Sequence, residues 1–383
     1  MTRLCGDRNP GPGPVSGRPA GRCKRPGAFV SAAGIVLALV AGGVSAGATS
    51  DQREPWNRGW AFYTDNDLFA FVSRDQQYTG GAALELAGRR AREYPVSLDP
   101  IVGVADRLSR FARVSRDRPG FRRHSLTVGL AAFTPEDISD PEPIRDDHPY
   151  GSLLVMGNTR QTVLTDRPVS YSSTFLLGLL GTNVAREFQN FFHDIGDTER
   201  AQGWSNQISD AGEPTFKYGV NRQALLVPPD PGKRLPFDVR SDQFASVGFN
   251  TQVGMSATVR WGRIRRPWWQ WQAFQGDYLD FGSPTAHTGR AGQAGPEWFF
   301  WLGAAARVRL YNALLEGQFR DSEVTFSRSE LRLLQGERVL GAAADVFETR
   351  WRTEFELRWR TREIPGAAGQ APVWGRISIS RSW

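Results

Sequence analysis

The sequence predicts an all-β fold, a transmembrane antiparallel β-barrel of about 12 strands, on three observations. The first is the stretch FETRWRTEFELRWR, Phe347 to Arg360. Its alternate residues Phe347, Thr349, Trp351, Thr353, Phe355, Leu357 and Trp359 make one apolar and aromatic face. Glu348, Arg350, Arg352, Glu354, Glu356, Arg358 and Arg360 make a face of charge alone. Strand side chains alternate between faces, so this strand needs hydrocarbon or a core on one side and water or other charges on the other. A soluble sandwich meets that need as well as a barrel does, and the ends of the chain separate the two. The second observation is an N-terminal leader for export. The third is a final strand in which Ile377, Ile379 and the terminal Trp383 share one parity against Arg376, Ser378, Ser380 and Ser382. An amphipathic strand closing on an aromatic looks like the assembly signal of bacterial outer-membrane barrels. An Arg or Lys turned to lipid near the midplane would cost about 2–4 kcal/mol, so the charged parity belongs inside.

In the leader, Arg18, Arg22, Lys24 and Arg25 precede an apolar run from Phe29 to Val44, and Ala46-Gly47-Ala48 supplies a small-residue cleavage pattern. Residues 1–48 therefore read as a signal peptide and 49–383 as one barrel domain in the outer membrane. The leader holds six basic residues and one acid, so the chain's 47 basic and 40 acidic residues fall to 41 and 39 without it, a net charge near +2. The high pI belongs mostly to the leader, and a nucleic-acid partner loses its support. Cys5 and Cys23 also lie there, which leaves the mature chain without a disulfide or a Cys-ligated metal. Beyond the leader no run of about 18 apolar residues occurs, so any crossing is made by strands, and only a closed barrel satisfies their backbone groups in lipid.

Twelve segments carry the strand pattern: Trp60 to Thr64, Thr79 to Ala87, His124 to Phe133, Gly151 to Gln161, Ser170 to Leu180, Thr215 to Leu226, Phe244 to Trp261, Trp268 to Phe281, Trp298 to Leu310, Ala313 to Phe326, Val346 to Arg360 and Val373 to Trp383. The region from Ser327 to Asp345 has room to hide another. Two stretches read as helix instead. Ile101, Val104, Ala105, Leu108 and Ala112 have helical spacing with Arg107, Arg110 and Arg113 beside them, as expected of an amphipathic connector on a membrane surface or packed on the barrel end. TNVAREFQNFFHDIGDTE, from Thr182, places Val184, Phe188, Phe191 and Ile195 at helical spacing.

On that second helix Gln189 and His193 are four apart and share a face away from the apolar set, which leaves the imidazole available as a general base, a ligand or an ordinary hydrogen-bonder. No GxSxG, HExxH or Cys/His zinc spacing occurs. The ordered set TDNDLF at Thr64, QYTGG at Gln77, DHPYGSLL at Asp147, EFQNFFHDIGD at Glu187, GWSNQI at Gly203 with Glu213-Pro214, and LLEGQFRDS at Leu314 resembles the outer-membrane lipid A 3-O-deacylase family. The resemblance spans nearly the whole mature chain. It implies a twelve-stranded barrel with its site between the outer part of the wall and a helix in an extracellular loop, where a histidine activates water and Ca²⁺ stabilises the oxyanion.

By that resemblance His193 is the base, Gln189, Asn66 and Asp67 are site residues, and Thr79 stands near the metal. Asp67, Thr79 and Glu199 are the implied Ca²⁺ ligands, with Asp197 an alternative to Glu199. The sequence departs from the family at Asp147-His148, where Asp-Arg is usual, and at Gly80-Gly81. The implied partners are lipid A or lipopolysaccharide and the outer-membrane lipids, with a monomer expected. Arg145 is a candidate for a lipid A phosphate or a plain solvated charge. The set is chemically coherent, because ester hydrolysis needs a deprotonated nucleophile and positive charge where the carbonyl oxygen gains its own. Hard oxygen donors suit Ca²⁺. In a regular pleat Asn66 and Asp67 would point apart, so the strand must end or bulge there. The alternatives are an outer-membrane phospholipase with the same site and a non-enzymatic barrel serving as pore or scaffold.

Overall fold

The computed structural model describes residues 54–70, 78–109, 119–196, 200–274, 296–346, 351–366 and 371–383, the side chains of 191–196 excepted. The expected leader, residues 1–48, lies outside them. Twelve antiparallel strands close into a barrel: β1 (Gly59–Asn66), β2 (Gly80–Ala87), β3 (Gly120–Phe133), β4 (Gly151–Leu164), β5 (Val169–Leu180), β6 (Glu213–Val227), β7 (Phe237–Gly248), β8 (Asn250–Arg263), β9 (Trp298–Asn312), β10 (Leu334–Val346), β11 (Trp351–Arg360) and β12 (Val373–Ser382). Each strand pairs with its sequence neighbour, and β1 closes on β12 from Gly59↔Ser382 to Asn66↔Gly375, leaving no edge. The end where β1 starts and β12 finishes is called proximal below, and the other end distal. Among the described residues no helix is long and apolar enough to cross a membrane, so the crossing belongs to strands.

The strand number matches expectation, but three assignments differ. Phe244 to Trp261 is a hairpin, because the turn between β7 and β8 is so tight that Gly248, at φ +125°, and Phe249 barely interrupt the pattern. Ala313 to Phe326 contains no strand: Leu315, Val324 and Phe326 pack with Leu331 and Ile364 into a small core within the distal connectors. The strand expected from Trp268 is absent over its described part, to Phe274, and β10 occupies the region read as ambiguous.

The alternation of β11 is realised as expected. Arg352, Glu356, Arg358 and Arg360 are buried in the lumen, where Glu337 receives Arg307 at 2.8 Å, Arg358 at 2.8 Å and Arg360 at 2.5 Å. The other parity of the wall shows Leu177, Leu179, Phe216, Val253, Phe300 and Leu302 to the outside. In the proximal half the connector after β8 enters the lumen. Trp271 packs on Trp301 at 4.9 Å between ring centroids and on Phe299 at 5.4 Å. Its backbone carbonyls take Gln161 of β4 (at Trp269), Gln223 of β6 and Arg240 of β7 (both at Trp271) and Arg358 of β11 (at Ala273). The strand-like aromatics from Trp268 onward are thus a plug.

Among the described residues four α-helices occupy connectors: α1 (Arg90–Glu93) and α2 (Asp99–Leu108) between β2 and β3, α3 (Asn183–Gly196) between β5 and β6, and α4 (Ala313–Glu316) after β9. Both expected helices form over their described parts, but α2 buries Val102 alone among its larger apolar residues, while the expected Arg110, Ala112 and Arg113 lie outside the described residues. Ile101, Val104 and Leu108 are exposed while Asp99 and Asp106 are buried. It packs neither by its apolar face nor on the barrel end.

Candidate active site at the distal outer wall

The site begins where β1 stops. Asn66 is its last residue and Asp67 opens a 3-10 turn through Ala70, so the pleat ends at the point where both side chains have to serve one place. Asn66 donates from Nδ2 to the Thr79 carbonyl at 3.0 Å and accepts the Leu68 amide at Oδ1 at 2.8 Å. Asp67, 1% exposed, accepts the same amide at 2.9 Å. Thr79 is buried, its hydroxyl 2.6 Å from that of Thr134 at the end of β3. Gly80 and Gly81 have a steric reason: a Cβ on Gly80 would lie 2.6 Å from the Asp65 carbonyl and one on Gly81 2.8 Å from that of Leu130. Beneath them Asp65 faces the lumen and holds Arg376 at 2.6 and 2.8 Å and the Tyr78 hydroxyl at 3.1 Å.

Helix α3 lies against the distal ends of β3 and β4. Ala185 of the helix packs with Ala132, Tyr150, Ala201 and Trp204. By strand parity Ala132 and its neighbour Ser152 belong to the outer face, as do Leu154 and its exposed partner Leu179. The helix therefore sits on the lipid side of the wall. Ala132 also pairs with Gly80, the register partner of Asn66, which brings α3 and the Asn66-Asp67 corner to neighbouring strand ends. Gln189 is 5% exposed and accepts the Trp204 indole N–H at 2.8 Å. Its Nε2 has no hydrogen-bond partner among the described residues. His193 follows one turn later on the same helix; its side chain lies outside the described residues, as do Asp197 and Glu199 altogether.

The remaining motifs are braces. In GWSNQI, a Cβ on Gly203 would come 2.4 Å from the Tyr150 ring, Trp204 packs on that ring at 5.1 Å with the planes tilted by 58°, and the Ile208 amide donates to the Tyr150 carbonyl at 2.9 Å. Glu213 accepts the Phe319 amide at 2.6 Å and Thr215 donates to Gln318 at 2.6 Å, so Glu213-Pro214 and LLEGQFRDS are partners. Trp204, Tyr150 and Thr134 were given no role from sequence; the GWSNQI run was the available signal for the first.

Asp147 accepts the Glu136 and His148 amides at 2.7 Å each, which ties its loop. His148 stacks on Phe133 at 5.2 Å and donates from Nδ1 to the Pro149 carbonyl at 2.7 Å. Burial pushes its pKa down, against that carbonyl, Glu363 and Asp147, so it is held neutral. Arg145 is exposed and donates to the Glu323 carbonyl at 3.0 Å, in the connector after β9, rather than to any of the residues above.

The donors at the Asn66-Asp67 corner are oxygens of Asn66, Asp67 and Thr79, a chemistry that fits a hard cation. Among the described residues no three His, Cys, Asp or Glu are grouped to hold a metal ion, and the acid that would complete a set lies outside them.

A closed twelve-stranded barrel with a polar, plugged lumen and a helix clasped to its apolar exterior defines an outer-membrane protein whose candidate site opens to lipid. The chain belongs to the family described as outer membrane protein LpxR, whose model matches residues 32–383. Among solved structures, LpxR from Salmonella typhimurium shares the fold, with a TM-score of 0.63 at 16% identity over 85% of this chain and 100% of that one. The β domain of the Bordetella autotransporter BrkA matches with a TM-score of 0.40 at 11% identity, over 85% of this chain and 100% of that one. No curated protein sequence matches the chain.

Proposed function

We propose that this protein is a calcium-dependent carboxylic ester hydrolase that removes the ester-linked acyl or acyloxyacyl group at the 3 position of lipid A. The observation that carries the proposal is Gln189: a buried amide whose Oε1 is fixed by Trp204 while its Nε2 remains unpartnered among the described residues, on a helix clasped to the lipid side of the wall. A substrate with acyl chains against the exterior and its ester near the strand ends meets α3 and the Asn66-Asp67 corner together.

In this reading the His193 imidazole takes the proton of the attacking water. Gln189 donates to the substrate, and the fixed indole keeps its amide from swinging away. Asn66, held by Thr79, sets the position of Asp67. Asp67, Thr79 and either Glu199 or Asp197 would hold Ca²⁺, which supplies Lewis-acid polarisation of the ester carbonyl when bound. Arg145 is offered to a lipid A phosphate, in exchange for Glu323. The protein acts as a monomer on lipid A in the outer membrane.

The pore reading meets a lumen crossed by the Trp268–Phe274 plug and by buried ion pairs. The test is mass spectrometry of lipid A and glycerophospholipids from cells expressing the chain, with and without a calcium chelator. Loss of the 3-linked acyl mass, absent with His193→Ala, is expected. Lysophospholipid with unchanged lipid A would move the activity to the phospholipase, and no change in either lipid class would overturn the reading.

A further inference from the structure

The outer wall should be apolar where lipid touches it, yet a cluster on β3 to β6 is polar. His124, Asn158, Arg160, Ser173 and Tyr218 all lie on the outer parity of β3 to β6, in register with one another and with exposed apolar residues such as Leu177 and Phe216. Bare to hydrocarbon, such a patch would be costly, since an Arg on the lipid face of a barrel is among the least tolerated substitutions.

Helix α2 and the segments beside it cover this cluster and partner most of its groups. Arg160 donates to both oxygens of Asp99, at 3.2 and 2.7 Å, and to Asp106 at 3.4 Å, while the Tyr218 hydroxyl donates to Asp106 at 2.9 Å. Asn158 takes the Leu98 amide at 2.7 Å and donates to the Ala91 carbonyl of α1 at 2.8 Å. His124 meets Glu54 at 2.7 Å. Gly103 brings the helix onto the Arg160 guanidinium, with its Cβ position 3.5 Å from Nη1. The helix is inside out by the standard of a soluble protein, with its acids inward and Ile101, Val104 and Leu108 outward.

Its height on the wall is set by the residues it touches. Tyr218 has five residues of β6 on its distal side and nine on its proximal side, so the helix reaches the middle of the wall. Ten residues of helix span about 15 Å, and Asp99 near its start and Asp106 near its end both meet Arg160, with Asp106 reaching Tyr218 as well. A helix there has no water beside it if the wall around it is in lipid.

We propose that α2 is a membrane-embedded helix, and that its outward face of Ile101, Val104 and Leu108 takes the acyl chains of phospholipids in the proximal leaflet. The helix restores the apolar band that the polar patch interrupts, and the buried ion pairs beneath it keep it from lifting away. Its lipid-facing surface is continuous with that of β5 and β6, and it lies on the opposite half of the wall from α3.

Site-directed spin labelling tests this in a chain with Cys5→Ser and Cys23→Ser, reconstituted in phosphatidylethanolamine and phosphatidylglycerol vesicles. Val104→Cys is compared with Leu177→Cys on the wall and Asp230→Cys in the exposed turn between β6 and β7. The label at 104 is expected to match that at 177, with high accessibility to oxygen and loss of accessibility to a water-soluble nickel chelate, opposite to 230. A label at 104 that matches 230 would overturn the proposal. So would exclusion of both reagents with spin–spin broadening, which would put a second copy of the chain on this face.

Discussion

Two helices lie on the outer wall, α2 over β4 and β5 and α3 against the distal ends of β3 and β4, and they are held by opposite means. Under α2 the polar groups are answered within the fold, Arg160 by Asp99 and Asp106 and Tyr218 by Asp106, and what faces outward is apolar. Under α3 the contact is alanine and aromatic packing with one fixed hydrogen bond, and Gln189 Nε2 is left over among the described residues. A buried polar group without a partner costs stability. The proposed reading gives that leftover donor to the substrate, so it takes the closed network as structure and the open one as chemistry.

The sharpest break between the two would come from His193→Ala. General-base catalysis is worth about 10²- to 10⁴-fold, and a loss of that size is expected in deacylation rate with heat-modifiable barrel mobility on gels unchanged. If α3 is a structural brace like α2, the variant will keep its activity. The reverse experiment is Arg160→Ala, which strands Asp99 and Asp106 under α2. Removing one partner of a buried pair costs about 3–5 kcal/mol, and the lower end applies because Arg160 is partly accessible. Limited proteolysis should cut the 88–119 connector faster while the lipid A product pattern stays the same.

Much of the barrel was legible in the sequence because hydrocarbon enforces alternation, and β11 showed it over its whole length. What failed was local. The plug from Trp268 carries strand-like aromatics because it packs against Trp301 and Phe299 in a lumen, which no window of the chain reveals. β10 was hidden by its small residues, and Gly341 has a reason to be small: a Cβ there would lie 2.1 Å from the Trp301 ring. At the site, the end of β1 at Asn66 followed from the resemblance that put Asn66 and Asp67 in one place, while the shared face of Gln189 and His193 was readable from spacing. Trp204, which fixes Gln189 from fifteen residues away, was not, because its role depends on a loop folding back onto Tyr150. The inversion of α2 was unreadable for a similar cause, since its apolar residues have the same spacing whether they face lipid or a core.

Gln189→Ala probes the hinge of the comparison. It leaves the Trp204 N–H buried without an acceptor, at a cost of about 1–3 kcal/mol, and removes the donor aimed at substrate. Loss of turnover is expected to exceed what the thermal shift alone explains. Gln189→Glu keeps an acceptor for Trp204 but not the amide donor, so it should restore most of the stability and little of the rate.

The smallest effect concerns pH at the distal end. His148 is buried against Phe133, and burial lowers its pKa although the Pro149 carbonyl, Glu363 and Asp147 pull it upward; Arg309 adds to the lowering. Unfolded, the imidazole takes its proton near pH 6.5, while the folded protein resists until lower pH. Below 6.5 the unfolded chain therefore binds more protons, and stability falls as pH falls; above 6.5 the group contributes no pH dependence. His148 precedes Tyr150, the ring on which Trp204 rests, so acidification should loosen the anchor of α3 first. The protection factors of the 203–208 amides, taken relative to intrinsic exchange at each pH, are expected to fall as pH drops below 6.5, and His148→Phe, which keeps a ring on Phe133 but cannot titrate, should flatten that dependence. An equal acid response in the variant would assign it to other groups and leave the two helices alike in this respect.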